Sequence, residues 1–219
     1  MTETIQQITP AQFVALFNRI GEAIEAEKGW LSDLDGVIGD GDHGVTMAIG
    51  WTAVREALAG IGADKSFTDI CNTAAKAFLN AVGASAGPLY ATAFMRGGAA
   101  LKGRETLDAA TMVAFIEAAA QGIVDRGKAE PGDKTMVDAW MPAVAAAKAA
   151  LADGKSLADC LQAAASGAES GMKATADMTA KKGRSSKLGE RSLGHMDPGA
   201  ASTFITLRTM AQGVAALTN

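Results

Sequence analysis

Three aspartates, Asp35, Asp40 and Asp42, fall close together in the run D-G-V-I-G-D-G-D-H-G. Carboxylates this near repel one another unless they are protonated or neutralised by a cation. Hard divalent cations take oxygen ligands of this kind, and Mg²⁺ typically keeps several waters and also takes substrate phosphates. Gly36, Gly39, Gly41 and Gly44 allow the tight backbone that would converge the carboxylates. The competing reading is an exposed Asp/Gly turn that caps a helix. An EF-hand does not fit: with Asp40 as the first loop position, Val45 stands where glycine is needed and Trp51 where glutamate is needed. A phosphatase-type D-x-D after a strand is weakened by Asp35 and Gly36, which break the apolar stretch from Leu34 to Ile38.

Two further segments offer groups that bind anions. Gly83-Ala84-Ser85-Ala86-Gly87-Pro88 precedes a predicted helix, and backbone N–H groups beside a hydroxyl make an anion site there. A plain turn between helices explains it equally, and no Walker A lysine follows. Residues 181–197 carry Lys181, Lys182, Arg184, Lys187 and Arg191 without helical periodicity. The run reads as a solvated face or as a lid able to close on an anion, with arginine suited to bidentate phosphate contact. By itself His195 reads as a loop hydrogen-bonder or a catalyst, and Met136 as core. Acidic triad, glycine turn and basic lid together point to a magnesium–nucleotide site.

The elements that must position these groups read as helices. Alanine, the best helix former, dominates, and no segment shows sustained apolar/polar alternation. Thr9-Pro10-Ala11-Gln12 forms a capping box, Ser66…Asp69 and Ser156…Asp159 are weaker versions, and Asp133 and Asp197 are each placed to cap a following apolar segment. These signals predict eight helices, at roughly 10–29, 44–61, 66–81, 87–102, 108–126, 134–151, 156–180 and 198–216, with 30–43 and 181–197 as connections. Phe13, Leu16, Phe17 and Ile20 form one apolar stripe, and Met112, Phe115, Ile116 and Ile123 another. Short connections favour antiparallel neighbours. With no linker and no repeat, residues 1–219 read as a single domain.

Composition excludes several classes. The 219 residues are 48% hydrophobic and 20% charged, which supports a core without staples. A net charge of −4 leaves no bulk basic footprint for nucleic acid. Cys71 and Cys160 are far apart, which excludes a disulfide scaffold and a cysteine zinc site. The start MTETIQQITP lacks the basic and apolar regions of a signal peptide, and the most apolar run is too short to span a bilayer. A cytoplasmic protein that binds neither membrane nor nucleic acid is expected.

Four blocks carry a resemblance: I-G-D-G-D-H-G (38–44), G-P-L-Y (87–90), R-G-K-A-E-P-G-D-K-T-M (126–136) and K-G-R-S-S-K-L-G-E-R-S-L-G-H-M-D-P-G-A (182–200). In this order they resemble the nucleotide-binding L subunit of bacterial dihydroxyacetone kinase. The resemblance implies an all-α barrel of eight antiparallel helices with ADP or ATP at one end. It implies two Mg²⁺ on Asp35, Asp40 and Asp42. Nucleotide contacts carry over to His43, Gly44, Val45, Thr46, Ser85, Ala86, Gly127, Met136, Arg184, Asp197, Pro198 and Gly199, with Arg184 also the catalytic candidate. Two departures stand out: Thr46, where relatives can carry an amide side chain, and Ala84-Ser85-Ala86, where relatives commonly have Gly-Ala-Ser and the hydroxyl is displaced by one place. The implied partners are a K-type subunit that holds a short ketose and a phosphotransferase-type subunit that passes on phosphoryl groups from phosphoenolpyruvate. Alternatives are an ATP-dependent ketotetrose kinase subunit, a fatty-acid kinase domain, and an ADP-loaded regulatory module that binds a transcription regulator.

Overall fold

The computed structural model describes residues 6–62, 64–83 and 85–217. Several of its helices start where a side chain satisfies a first N–H group. Thr9 and Gln12 cap each other reciprocally, with Pro10 at the first position of α1 (Pro10–Ala26). Ser66 and Asp69 do the same for α4 (Phe67–Ala81), Ser156 caps α8 (Leu157–Ala174), and Asp197 caps α9 (Pro198–Ala215). Such caps are each worth about 1 kcal/mol. The other helices are α2 (Lys28–Ile38), α3 (His43–Ala59), α5 (Ala86–Ala100), α6 (Ala109–Gly127) and α7 (Val137–Ala152).

Both predicted stripes are buried. Phe13 packs edge-on against Phe67 and Phe115, Phe17 lies tilted against Trp51 and Phe94, and Phe78 stacks on Tyr90 with ring centroids 4.9 Å apart. One apolar cluster draws residues from all nine helices. From α3 to α9 each helix packs on the next in chain order, while α1 packs on both α3 and α9 and so closes the circuit. The short helix α2 lies outside this sequence of contacts, against α3 and α9.

The expectations need four corrections. Residues 30–43 are not one connection: Leu31, Asp35 and Ile38 fall on one buried helical face, so α2 runs to Ile38 and Asp35 belongs to a helix. Nine α-helices are therefore present among the described residues, against eight expected. Asp133 does not cap α7; its carboxylate accepts from the Glu130 N–H and closes a turn. The helix expected over 156–180 ends at Ala174, followed by 3-10 turns at Thr175–Asp177 and Arg184–Ser192, the latter kinked at Gly189. No strand occurs among the described residues beyond one bridge between Ile8 and Leu107, and no described helix is long and apolar enough to cross a membrane.

Candidate functional site

Asp35 sits in the last turn of α2, Asp40 in the turn that follows, and Asp42 at the N-cap of α3. One oxygen from each lies within 4.8 Å of the others. The turn is held by Asp35 itself, which accepts from the backbone N–H groups of Asp42 (2.9 Å) and His43 (3.2 Å). A Cβ at Gly39 would collide with the Asp35 carboxylate, and one at Gly44 with the Lys28 carbonyl oxygen. Both glycines are thus needed for the chain to turn back this tightly. Asp35 is buried while Asp40 and Asp42 are exposed, so the cluster has an anchored end and an open face.

The basic segment supplies a counter-charge. The Arg184 guanidinium reaches over the turn to Asp40 and lies 3.8 Å from Asp42. Its 3-10 segment also packs on α2. A cation therefore already occupies the open face of the triad, which fits the preference of clustered carboxylates for positive charge. The cleft here has a volume of about 530 Å³. Its lining includes Thr46, Ser85, Ala86, Met136, Lys182 and Gly183 besides the aspartates, Arg184 and Asp197-Pro198-Gly199. Four helix N-termini open onto it, those of α3, α5, α7 and α9. Asp197 caps α9 and Asp35 accepts from the first N–H of α3, while the positive dipole ends of all four favour an anion at this end.

His43, the first residue of α3, has its Nε2 3.0 Å from the Ser202 hydroxyl, which also lies 3.4 Å from the Tyr90 hydroxyl and donates to the Gly199 carbonyl. Burial pushes the His43 pKa down to about 4, against the pull of Asp35, so the imidazole is neutral at pH 7. Asp197 accepts from the Ala200 N–H at 2.7 Å, yet burial pushes its pKa up to about 7.

A second cavity of about 500 Å³ adjoins the first and shares Ser85, Leu89, Thr135, Met136, Lys182 and Gly183 with it. Gly127, Ile123 and Val137 line this chamber, which none of the three aspartates reaches. The sequence candidates therefore divide. The aspartates, His43, Thr46, Arg184 and the 197–199 turn gather in the first chamber, Gly127 lines the second, and Ser85 and Met136 stand between. Ser85 precedes α5 without making a capping bond with its hydroxyl. Gly44 is buried between α2 and α3, and Val45 is half-exposed on a shallow groove with Ile49. His195 is exposed. Ala84 lies outside the described residues.

Sequence reasoning missed the groups that brace the site. Lys134 is 1% exposed, and its ammonium donates to four main-chain oxygens. Asp138 accepts from the Gly132 and Thr135 N–H groups and shapes the same turn. Lys134 stood inside a quoted block, but no pattern of residue types marks a lysine that binds carbonyls.

Comparison with known proteins now decides the family. The DAK2 domain model matches residues 37–212. The chain belongs to the DAK2 domain family. Among DAK2 proteins it is 40% identical over 204 residues to the ADP-binding subunit DhaL of the PEP-dependent dihydroxyacetone kinase of Escherichia coli K12, covering 93% of this chain and 97% of that one. It is also 40% identical over 195 residues to the corresponding subunit of PEP-dependent dihydroxyacetone kinase 1 of Listeria innocua, covering 89% and 92%. Its DAK2 fold superposes on a solved structure of the dihydroxyacetone kinase from C. freundii in complex with AMP-PNP and Mg²⁺, with a TM-score of 0.73 at 23% identity, covering 96% of this chain and 35% of that one.

Proposed function

We propose that this chain is the ADP/ATP-binding subunit of a phosphoenolpyruvate-dependent dihydroxyacetone kinase. In this role it passes a phosphoryl group to a short ketose held on a K-type partner and is recharged by a phosphotransferase-type subunit. The observation that carries the reading is the aspartate triad, whose oxygens lie within 4.8 Å, facing a cleft crossed by Arg184. Near full-length identity to two ADP-binding DhaL subunits supports the nucleotide and the donor class. The chain acts as one nucleotide-binding domain in the cytoplasm. The closed circuit of helices, with α3, α5, α7 and α9 all starting at the cleft, supports an eight-membered antiparallel barrel with α2 as an added short helix.

Asp35, Asp40 and Asp42 are the residues to hold two Mg²⁺, and the mixture of one anchored and two exposed carboxylates suits a cation that shares its shell with water and phosphate. When bound, the metal neutralises phosphate charge and orients the phosphoryl oxygens. The four helix N-termini add dipolar stabilisation at the same end. Arg184 has the planar fork to stay with the phosphoryl group as charge shifts during in-line transfer. Its exposed position at the rim lets it leave Asp40 for a phosphate. Gly127 and Met136 suit the nucleoside end, since both line the second chamber, which lies beyond the aspartate triad. Neutral His43 holds Ser202 and positions the start of α9 rather than adding charge.

Calorimetry tests this reading. Wild-type protein is expected to bind Mg-ADP, and Asp40→Ala to lose most of that affinity, because a direct oxygen ligand is removed. Unchanged Mg-ADP binding by Asp40→Ala overturns the metal assignment.

A further inference from the structure

We infer that Lys134 is the positioning residue of the lid, its ammonium tying both limbs of residues 175–195 together so that Arg184 is presented to the aspartate triad. The inference rests on the nucleotide reading of the cleft for its function, but its geometry stands independently.

The Lys134 ammonium donates to four carbonyl oxygens: Thr175 (2.7 Å), Met178 (3.1 Å), Ser192 (2.7 Å) and His195 (2.5 Å). An ammonium carries three protons, so one is shared. Two carbonyls belong to the limb that leaves α8 and two to the limb that returns to α9. The 3-10 segment that carries Arg184 hangs between them. The limbs are also joined by Gly194 N–H to the Ala176 carbonyl (2.8 Å) and by Ala180 N–H to the Ser192 hydroxyl (2.9 Å).

Two features separate this from an ordinary buried contact. Lysine is almost never fully buried unless it is paired, because its ammonium loses its hydration, and here Asp197 and Asp177 attract it without being its hydrogen-bond acceptors. Here carbonyl oxygens replace the water shell, as they do around a bound metal ion. Lys134 also holds a left-handed backbone, φ +61°, which non-glycine residues adopt at a cost. The cost is offset by what the conformation achieves: the side chain leaves the 130–138 turn and enters the lid's neck. That turn is itself locked by Asp138, and Lys181 N–H donates to the Asp133 carbonyl at 3.0 Å. The neck is thus pinned to the start of α7, which lines the same cleft as the triad.

Amide hydrogen exchange on the full chain without nucleotide tests the neck directly. Lys134→Met keeps the length of the side chain and removes the charge. Exchange over 181–197 is expected to accelerate about tenfold or more, while α6 changes little. Lys134→Arg keeps the charge and donors and is expected to fall between wild type and Lys134→Met. Unchanged exchange in the lid, or equal acceleration in α6, overturns the inference. If Lys134→Met does not fold, native-state acetylation of wild-type lysines replaces it. Lys134 is then expected to stay unmodified while Lys181 and Lys182 react, and equal labelling overturns the inference.

A double-mutant cycle read by Mg-ADP calorimetry tests the link to Arg184. Lys134→Met is expected to weaken Mg-ADP about tenfold alone and only slightly in an Arg184→Ala background. Equal losses in both backgrounds reduce Lys134 to a fold-stabilising residue and overturn its positioning role. Absence of Mg-ADP binding in wild type would overturn the nucleotide reading, and the exchange result would still judge the neck.

Discussion

Arg184 shows why a contact's worth depends on the state in which it is measured. Its side chain is about half exposed beside Asp40, so the resting ion pair contributes little to stability, about 0–1 kcal/mol. On the proposed reading the same guanidinium meets phosphoryl charge during transfer, where a charged hydrogen bond is worth about 1.5–3 kcal/mol. Arg184→Ala is therefore expected to leave urea unfolding nearly unchanged and to slow transfer about tenfold or more in the reconstituted kinase. Arg184→Lys should recover only part of the rate, because the planar fork is lost. The cysteines illustrate the opposite environment. Cys71 and Cys160 are both fully buried, and burial pushes both thiols up from their ordinary range. Neither should react with iodoacetamide at pH 8 in folded protein, and both should react in denaturant, as mass spectrometry can read.

At the scale of elements, the α2–turn–α3 unit sets the triad. Its compactness depends on α3 starting directly against the backbone of α2, with no room for a side chain at Gly44. Gly44→Ala forces the helices apart and should destabilise the chain by about 1–3 kcal/mol, with a parallel loss of Mg-ADP affinity, because Asp42 and His43 move with the start of α3. Gly29, also in α2, is exposed, and a Cβ there would meet nothing within 4 Å. Gly29→Ala should stabilise by about 0.5–1 kcal/mol without affecting binding. Urea midpoints and calorimetry on the two variants separate packing from propensity. Opposite signs are expected, and equal effects would show that α2 is not held this closely.

The whole molecule gathers four of its nine described helix starts and a cluster of opposed charges at one end. Four positive dipole ends, the triad and the basic lid all meet the same pair of chambers. That concentration suits a nucleotide carrier whose acceptor arrives from outside. The described cleft is taken up by groups suited to phosphates and metal, and on our reading the ketose site is on the partner. The isolated chain, given ATP and Mg²⁺, is expected to show no phosphorylation of dihydroxyacetone in a coupled assay. Activity should appear on adding a K-type subunit. Turnover by the purified chain alone would place an acceptor site here and refute the division of labour.

The caps at Thr9, Ser66, Ser156 and Asp197 were legible in the sequence, and so were the apolar stripes of α1 and α6, because each depends on residues a few places apart. The triad was legible as a composition: three carboxylates among glycines stood out as a group suited to a cation, and the fold brings one oxygen of each within 4.8 Å of the others. The sequence alone did not show that Asp35 is helical, since Gly36 and the neighbouring aspartates obscured the Leu31–Ile38 spacing that burial against α3 and α9 makes decisive. The chamber that each candidate faces was equally hidden, as Val45 and Thr46 are neighbours in the chain yet line different surfaces. Least visible was Lys134. Its partners are carbonyl oxygens 41 to 61 residues away, and every residue has a carbonyl. Side-chain patterns reveal local hydrogen bonding and helical faces because those are set by the chain's own period. The meeting of a buried ammonium with distant main-chain oxygens is decided only when the helices pack and bring the two limbs of the lid together.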